Sequence, residues 1–201
     1  MTQRICFLYL FFISYIAFSQ EGYEVGYIIT NSGDTIKGKI KDRKYIPDPP
    51  NSDKIKFIDA KGKKCKITPD KVSEYCRKGI LFFRTLPIGM EGKQKFAQVL
   101  EYGEVILFGY IDNSFVSATI SSVAPTGKDK TLTTKRSVVY FFQKRKDEKS
   151  LMKVKKDKFK DISLFYFKND TELIKKLEDK SLSFEDIRLV VKTYNEFAEK
   201  K

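Results

Sequence analysis

The stretch GDTIKGKIK, residues 33–41, carries two incompatible readings. Gly33, Gly38 and Lys39 satisfy the phosphate-binding-loop pattern G-x-x-x-x-G-K-[ST] up to its last position. There Ile40 stands in place of the hydroxyl residue that would hold Mg²⁺. A working loop of that kind ends a strand and opens a helix whose N-terminus faces the phosphates. In this chain a two-residue period continues through Lys41, with Ile36, Gly38 and Ile40 on one face and Lys37, Lys39 and Lys41 on the other. The β-rich run 23–30 ahead of it and the cluster Asn31-Ser32-Gly33-Asp34 complete a hairpin. The stretch is therefore read as a turn and a strand, and no nucleotide is expected as a partner. Gly38 marks either a bulge or a close approach by a neighbouring group.

The same plan repeats downstream. Ile55 and Phe57 alternate with lysines, 60–63 turns the chain, and Cys65 and Ile67 return on an inward face. The Pro-rich segment YIPDPPNSD (45–53) links the two hairpins as a loop. Thr68-Pro69-Asp70 has the form of a cap followed by Pro at the first helical position, which predicts one helical turn. Strands are expected over 79–86, 95–102, 104–111, 114–120 and 137–144, with 151–154 as a further partner. Gly103 separates the middle pair, Asp112-Asn113 turns the chain, and the polar stretch 121–136 reads as a loop.

Beyond residue 156 the periodicity becomes helical. A short helix is expected over 157–167. Asn169 and Glu172 have capping-box spacing ahead of Leu173, and Ser183 and Asp186 repeat it ahead of Ile187, Val190, Val191, Tyr194 and Ala198. The expectation is an α+β chain: a mainly antiparallel β body over 20–155, as a roll or partly open barrel, with a C-terminal cap of two to three helices over 156–201.

The first 19 residues read as a leader. Arg4 supplies the positive end, 5–18 an apolar run, and Ala17-Phe18-Ser19 a small-x-small cleavage step that would leave Gln20 first. The run is short for a membrane span, and no other stretch is long enough, so the processed chain is expected to be exported without a transmembrane segment. Cys6 opens the apolar run, which argues against a lipoprotein cysteine.

Two cysteines follow the leader, Cys65 and Cys76. Export makes a disulfide between them one reading, worth about 3 kcal/mol on the chain-entropy model, and two buried free thiols the other. The chain has no histidine, which removes Ser-His and Cys-His nucleophile pairs, the common zinc sites and a base near neutrality. No catalytic residue, metal ligand or cofactor-binding residue is nominated, and no cofactor is expected. A carboxylate-dependent hydrolase needs only two acids, for which Asp34, Asp59, Asp70, Glu74, Glu101, Glu104 and Asp112 are available. Each also has an ordinary reading as a turn residue or a solvent-facing charge.

Lys and Arg number 39 against 26 acidic residues, so losing Arg4 with the leader leaves 39 − 1 − 26, a net charge of +12. The densest basic stretch is KRKDEKSLMKVKKDKFK, 144–160. Lys144, Arg145, Lys146, Lys149, Lys153, Lys155 and Lys156 are its candidate contacts to an anionic polymer. The plainer reading is a charged hairpin with outward lysines. Aromatic clusters at Phe82-Phe83, Phe108 with Tyr110, 140–142 and 165–167 are expected to be buried mainly beneath the helical cap.

GYIITNSGDTIKGKI (26–40), ITPDKV (67–72) and FEDIRLVVKTYNEF (184–197) together resemble a group of uncharacterised exported proteins of Bacteroidota, with a GDT-x-x-G hairpin motif and a C-terminal Tyr-Asn helix. The resemblance covers most of the chain after the leader. It implies a secreted or periplasmic protein, supplies no catalytic residues and does not include the two cysteines. The function expected is thus a non-catalytic exported module that binds a protein or polymer at the bacterial cell envelope or surface. The alternatives are a polyanion-binding protein working through 144–160 and a carboxylate-dependent hydrolase.

Overall fold

The computed structural model describes residues 22–42, 53–112 and 137–200. The leader expected over 1–19, the strand and turn expected at 113–120, the 121–136 segment and most of the Pro-rich stretch lie outside these residues. The opening stretch is a hairpin. Strand β1 (Glu24–Thr30) pairs antiparallel with β2 (Thr35–Lys41), setting Gly26 opposite Gly38 and Tyr27 opposite Lys37. A second hairpin follows from β3 (Ile55–Asp59) to β4 (Lys64–Ile67), whose turn is held by the Asp59 carboxylate accepting the Lys61 and Lys63 N–H groups at 2.9 Å each. One 3-10 turn, Pro69–Lys71, then leads into β5 (Val72–Arg77).

Strands β6 (Leu81–Leu86), β7 (Lys95–Glu101), β8 (Val105–Asp112), β9 (Ser137–Lys144) and β10 (Asp147–Val154) complete one antiparallel sheet in the order β10-β9-β8-β7-β6-β5-β1-β2-β3-β4. Two sequence-local meanders, β1–β4 and β5–β10, are thus joined by the single pairing of β1 with β5. The sheet is not closed, but it curls strongly. Lys95 on β7 reaches Asp53, just ahead of β3, at 2.5 Å. Five strand spacings in a flat sheet would set those strands about 24 Å apart. The curl encloses one core on its inner face: Ile28, Ile40, Phe57 and Ile67 from the first meander meet Tyr75, Phe83 and Phe96 from the second. Tyr75 stacks on Phe83 with ring centroids 4.4 Å apart and meets Phe96 edge-on at 4.9 Å.

Three helices cover the other end of the sheet, giving an α+β fold. They are α1 (Phe159–Phe167), α2 (Thr171–Glu178) and α3 (Ile187–Ala198). Leu173, Leu177, Val190, Val191 and Tyr194 press onto Val105, Leu107, Phe142 and Val154. Ile106, Phe108 and Phe141, one residue out of phase, form a third cluster with Leu86 and Ala97 on the opposite face. Over 105–109 of β8 and 141–143 of β9 both faces are therefore buried, unlike the half-wet strands that alternation predicts. The cap is keyed to the sheet by Asn195. Its amide oxygen accepts the Val105 N–H at 2.9 Å and its amide nitrogen donates to the Val105 carbonyl at 2.8 Å. Gly103 makes room for this, because a Cβ there would lie 2.3 Å from the Asn195 side chain.

Several details depart from the sequence reading. The strand expected from residue 79 begins at Leu81, because Lys78 and Gly79 take φ of 57° and 71° and turn the chain. Strand β10 begins at Asp147, four residues earlier than expected, since Arg145 and Lys146 alone make its turn. Asp170, not Asn169, caps α2, its carboxylate accepting the Leu173 N–H at 3.0 Å. The Ser183–Asp186 box is present as read. Of the aromatic clusters, Phe142, Tyr166 and Phe167 lie under the cap. Phe83 is in the curled core, Phe108 and Phe141 are on the opposite face, and Phe82 and Phe165 are exposed. Gly38 is a close approach: an added Cβ would meet the Phe57 ring at 2.5 Å and the Ile58 carbonyl at 2.3 Å.

Candidate functional site

Strand parity divides the charges of β1–β4 by face. Glu24, Gly26, Ile28, Gly38, Ile40, Phe57, Asp59, Cys65 and Ile67 turn toward the core side. Val25, Tyr27, Lys37, Lys39, Lys41, Lys56, Ile58, Lys64 and Lys66 turn outward. Every lysine of these four strands is on the outer face and both acids are on the inner one. The register then aligns Lys41, Lys56 and Lys66 as direct cross-strand neighbours, and Lys39, Ile58 and Lys64 in the next row. Lys37, Lys39, Lys56, Lys64 and Lys66 are exposed, and Lys41 lies partly buried over the Tyr23 ring at 5.6 Å.

The inner acids are neutralised internally. Where β1 and β5 meet, Arg77 reaches Asp42 at 2.6 Å and Glu24 at 3.2 Å, and Lys78 reaches Glu24 at 2.8 Å. The Asp42 side chain is fully buried, which raises its carboxyl above the ordinary value, while Arg77 and the Tyr75 hydroxyl pull it back down. Tyr75 donates to Asp42 at 3.3 Å, and burial, with the Asp42 charge beside it, holds the phenol far above its usual range. Gln98, on the same face opposite Phe83, is buried, and its amide oxygen accepts no hydrogen bond among the described residues. This network missed every sequence list. Glu24, Asp42 and Arg77 are separated by 18 and 35 residues, and the pairings of β1 with β2 and with β5 bring them together.

The nominated residues of 144–160 divide into two groups. Lys144 lies over the Phe165 ring at 4.8 Å, Arg145 over Tyr102 at 5.3 Å, and Lys156 pairs with Glu185. Lys146, Lys149, Lys153 and Lys155 are exposed on the turn, the edge strand β10 and its exit. The stretch is not a continuous stripe, since Asp147, Glu148 and Met152 interrupt it on the same strand. Cys65 and Cys76 are free thiols, and only Cys76 is buried, Cys65 being partly exposed. Cys65 faces the curled core, whereas Cys76, opposite Tyr27 and Phe82, belongs to the other face of the sheet. Their side chains cannot meet through the sheet.

The carboxylates nominated for hydrolysis are spread, and four of them are engaged within the fold. Asp34 accepts from Ser32 in the first turn, Asp59 caps the second, and Glu74 and Glu101 pair with Arg84 and Arg188 at 2.6 and 3.2 Å. Asp70 sits in the 3-10 turn, where its backbone carbonyl accepts from Asn31, and Glu104 is exposed between β7 and β8. The side chain of Asp112 lies outside the described residues. No group of three or more Asp, Glu or Cys among the described residues could hold a metal ion, and no helix there is long and apolar enough to cross a membrane. No family model, curated protein or solved structure matches the chain.

Proposed function

We propose that the chain is a non-catalytic exported module that binds an anionic partner at the bacterial cell envelope or surface. The outer face of β1–β4 carries this reading: six lysines and no carboxylate, with both acids of these strands, Glu24 and Asp59, on the inner side. Like charges set directly opposite one another destabilise a sheet. The Lys56–Lys66 pair keeps that cost in the free protein, and an anionic partner would remove it. The leader-like residues 1–19 support export, and the Lys bias supports diffuse charge attraction over geometric phosphate recognition, which favours Arg. The stretch 144–160 is the weaker candidate, because Lys144, Arg145 and Lys156 are already engaged within the fold.

Fractionation of the native cell tests the reading. The chain should be recovered with the envelope at low ionic strength, begin at Gln20 by mass spectrometry, and be released at about 1 M salt, where screening shortens to about 3 Å. Recovery of an unprocessed chain in the cytoplasm, or an envelope association indifferent to salt, would overturn it.

A further inference from the structure

We infer that the outer face of β1–β4 docks on an anionic lipid surface, with apolar side chains beside the lysine array entering the headgroup region. This rests on the reading above and names its partner. Three observations favour a bilayer over a linear polyanion. The array is two-dimensional. It spans three adjacent strands, with lysines about 5 Å apart across strands and about 7 Å apart along them, on the convex side of the curled sheet, and it forms no groove to guide a chain. It contains no Arg, the residue that reads individual phosphates through paired hydrogen bonds, and a lipid surface asks for charge density without that geometry.

The third observation is a pair of exposed apolar side chains on the face that carries the lysines. Val25, directly opposite Lys39, is 73% exposed. The next row runs Phe82–Cys76–Tyr27–Lys37 across four adjacent strands, and Phe82 is 43% exposed at its far end. One face therefore carries Val25 next to a cationic grid and Phe82 three strands away from it. Interfacial membrane-binding elements use the same division, with apolar groups at the acyl boundary and lysines at the anionic headgroups.

The experiment is vesicle co-sedimentation of the chain from Gln20, which contains every strand and helix described above. The vesicles are phosphatidylglycerol mixed with phosphatidylcholine, or phosphatidylcholine alone. The chain should sediment with the anionic vesicles at about 0.05 M salt and stay in solution with neutral ones. The triple variant Lys56→Gln, Lys64→Gln, Lys66→Gln should bind about 100-fold more weakly, at about fivefold per lysine. The charge-matched control Lys149→Gln, Lys153→Gln, Lys155→Gln on and beside β10 should change binding by less than about threefold, since those residues lie outside the docking face. Val25→Asn with Phe82→Asn should weaken binding several-fold without altering its salt dependence, a loss that a linear polyanion would not register. Circular dichroism verifies that each variant is folded.

No sedimentation with anionic vesicles would overturn the inference, as would an equal loss from the β10 control. If single-stranded DNA or a sulfated polysaccharide binds and the vesicles do not, the lipid assignment fails and the anionic-partner reading stands. If none of the three binds at low salt, both fail.

Discussion

Asn195 does the work of a neighbouring strand with a single side chain. Its amide occupies both hydrogen-bonding groups of Val105, at the place where β8 begins beneath the helices. Asn195→Ala would leave a buried N–H and a buried carbonyl without partners. It should cost about 2–4 kcal/mol in denaturant unfolding, where Glu196→Ala, one exposed residue away, should cost under about 0.5 kcal/mol. Arg77 is the other residue on which much depends. Because burial raises the Asp42 carboxyl, the folded state holds that proton more tightly than the unfolded chain does. The Asp42 contribution to stability therefore falls as pH rises from the unfolded value of about 3.9 through the raised folded one, and is level above it. Arg77→Met withdraws the opposing positive charge and pushes the folded value further up. Its cost should be about 3–5 kcal/mol near pH 7 and clearly smaller at about pH 4.5, measured by urea unfolding at both. An equal cost at the two pH values would mean that Arg77 acts through packing alone. Neither role was legible in the sequence: Asn195 reads as one more residue on a helix, and the partners of Arg77 are set by strand order.

At the scale of the element, local chemistry was informative where the partner lay within a few residues. The period-two alternation over 35–41 settled strand against phosphate loop, and the Ser183–Asp186 box marked the last helix in advance. The α2 cap was misplaced by one residue because Asn169 and Asp170 are both capping types, and which of them reaches the Leu173 N–H depends on how the chain leaves α1. The register of β3 could not be anticipated, since alternation fixes a face and not a neighbour. That register sets Lys56 between Lys41 and Lys66. Lys56→Glu turns two repulsive cross-strand pairs into attractive ones. It should stabilise the fold by about 0.5–1 kcal/mol at low salt, with the gain shrinking at about 1 M. The same substitution should weaken adsorption to anionic vesicles, so stability and binding move in opposite directions. A variant that gains stability and keeps its binding would detach the lysine row from the docking face.

For the whole molecule, composition set the class of chemistry more firmly than the shape. The absence of histidine leaves no side chain of ordinary pKa to change charge between about pH 5.5 and 8, apart from the terminal amine. Adsorption to an anionic surface should then vary by less than about twofold across that interval at fixed salt, and collapse between about 0.05 and 0.5 M salt. A step near neutrality in the vesicle assay would point to a group other than the lysines. The sheet-plus-cap division was readable from the change of period near residue 156. The curl was not, because it arises from contacts such as Lys95 with Asp53, between strands that are five places apart in the sheet.

The single pairing between β1 and β5 also orders events in time. A chain produced N-terminus first releases β1 to β4 as a complete meander while β5 is still to come. During that interval β1 has one bare edge of peptide groups, and Glu24 and Asp42 have no cation on their side of the sheet. Arrival of β5 closes the edge and supplies Arg77 in the same step. The seam thus makes the first meander a waiting template, and its vulnerability to wrong partners ends when residue 77 comes into register opposite Gly26.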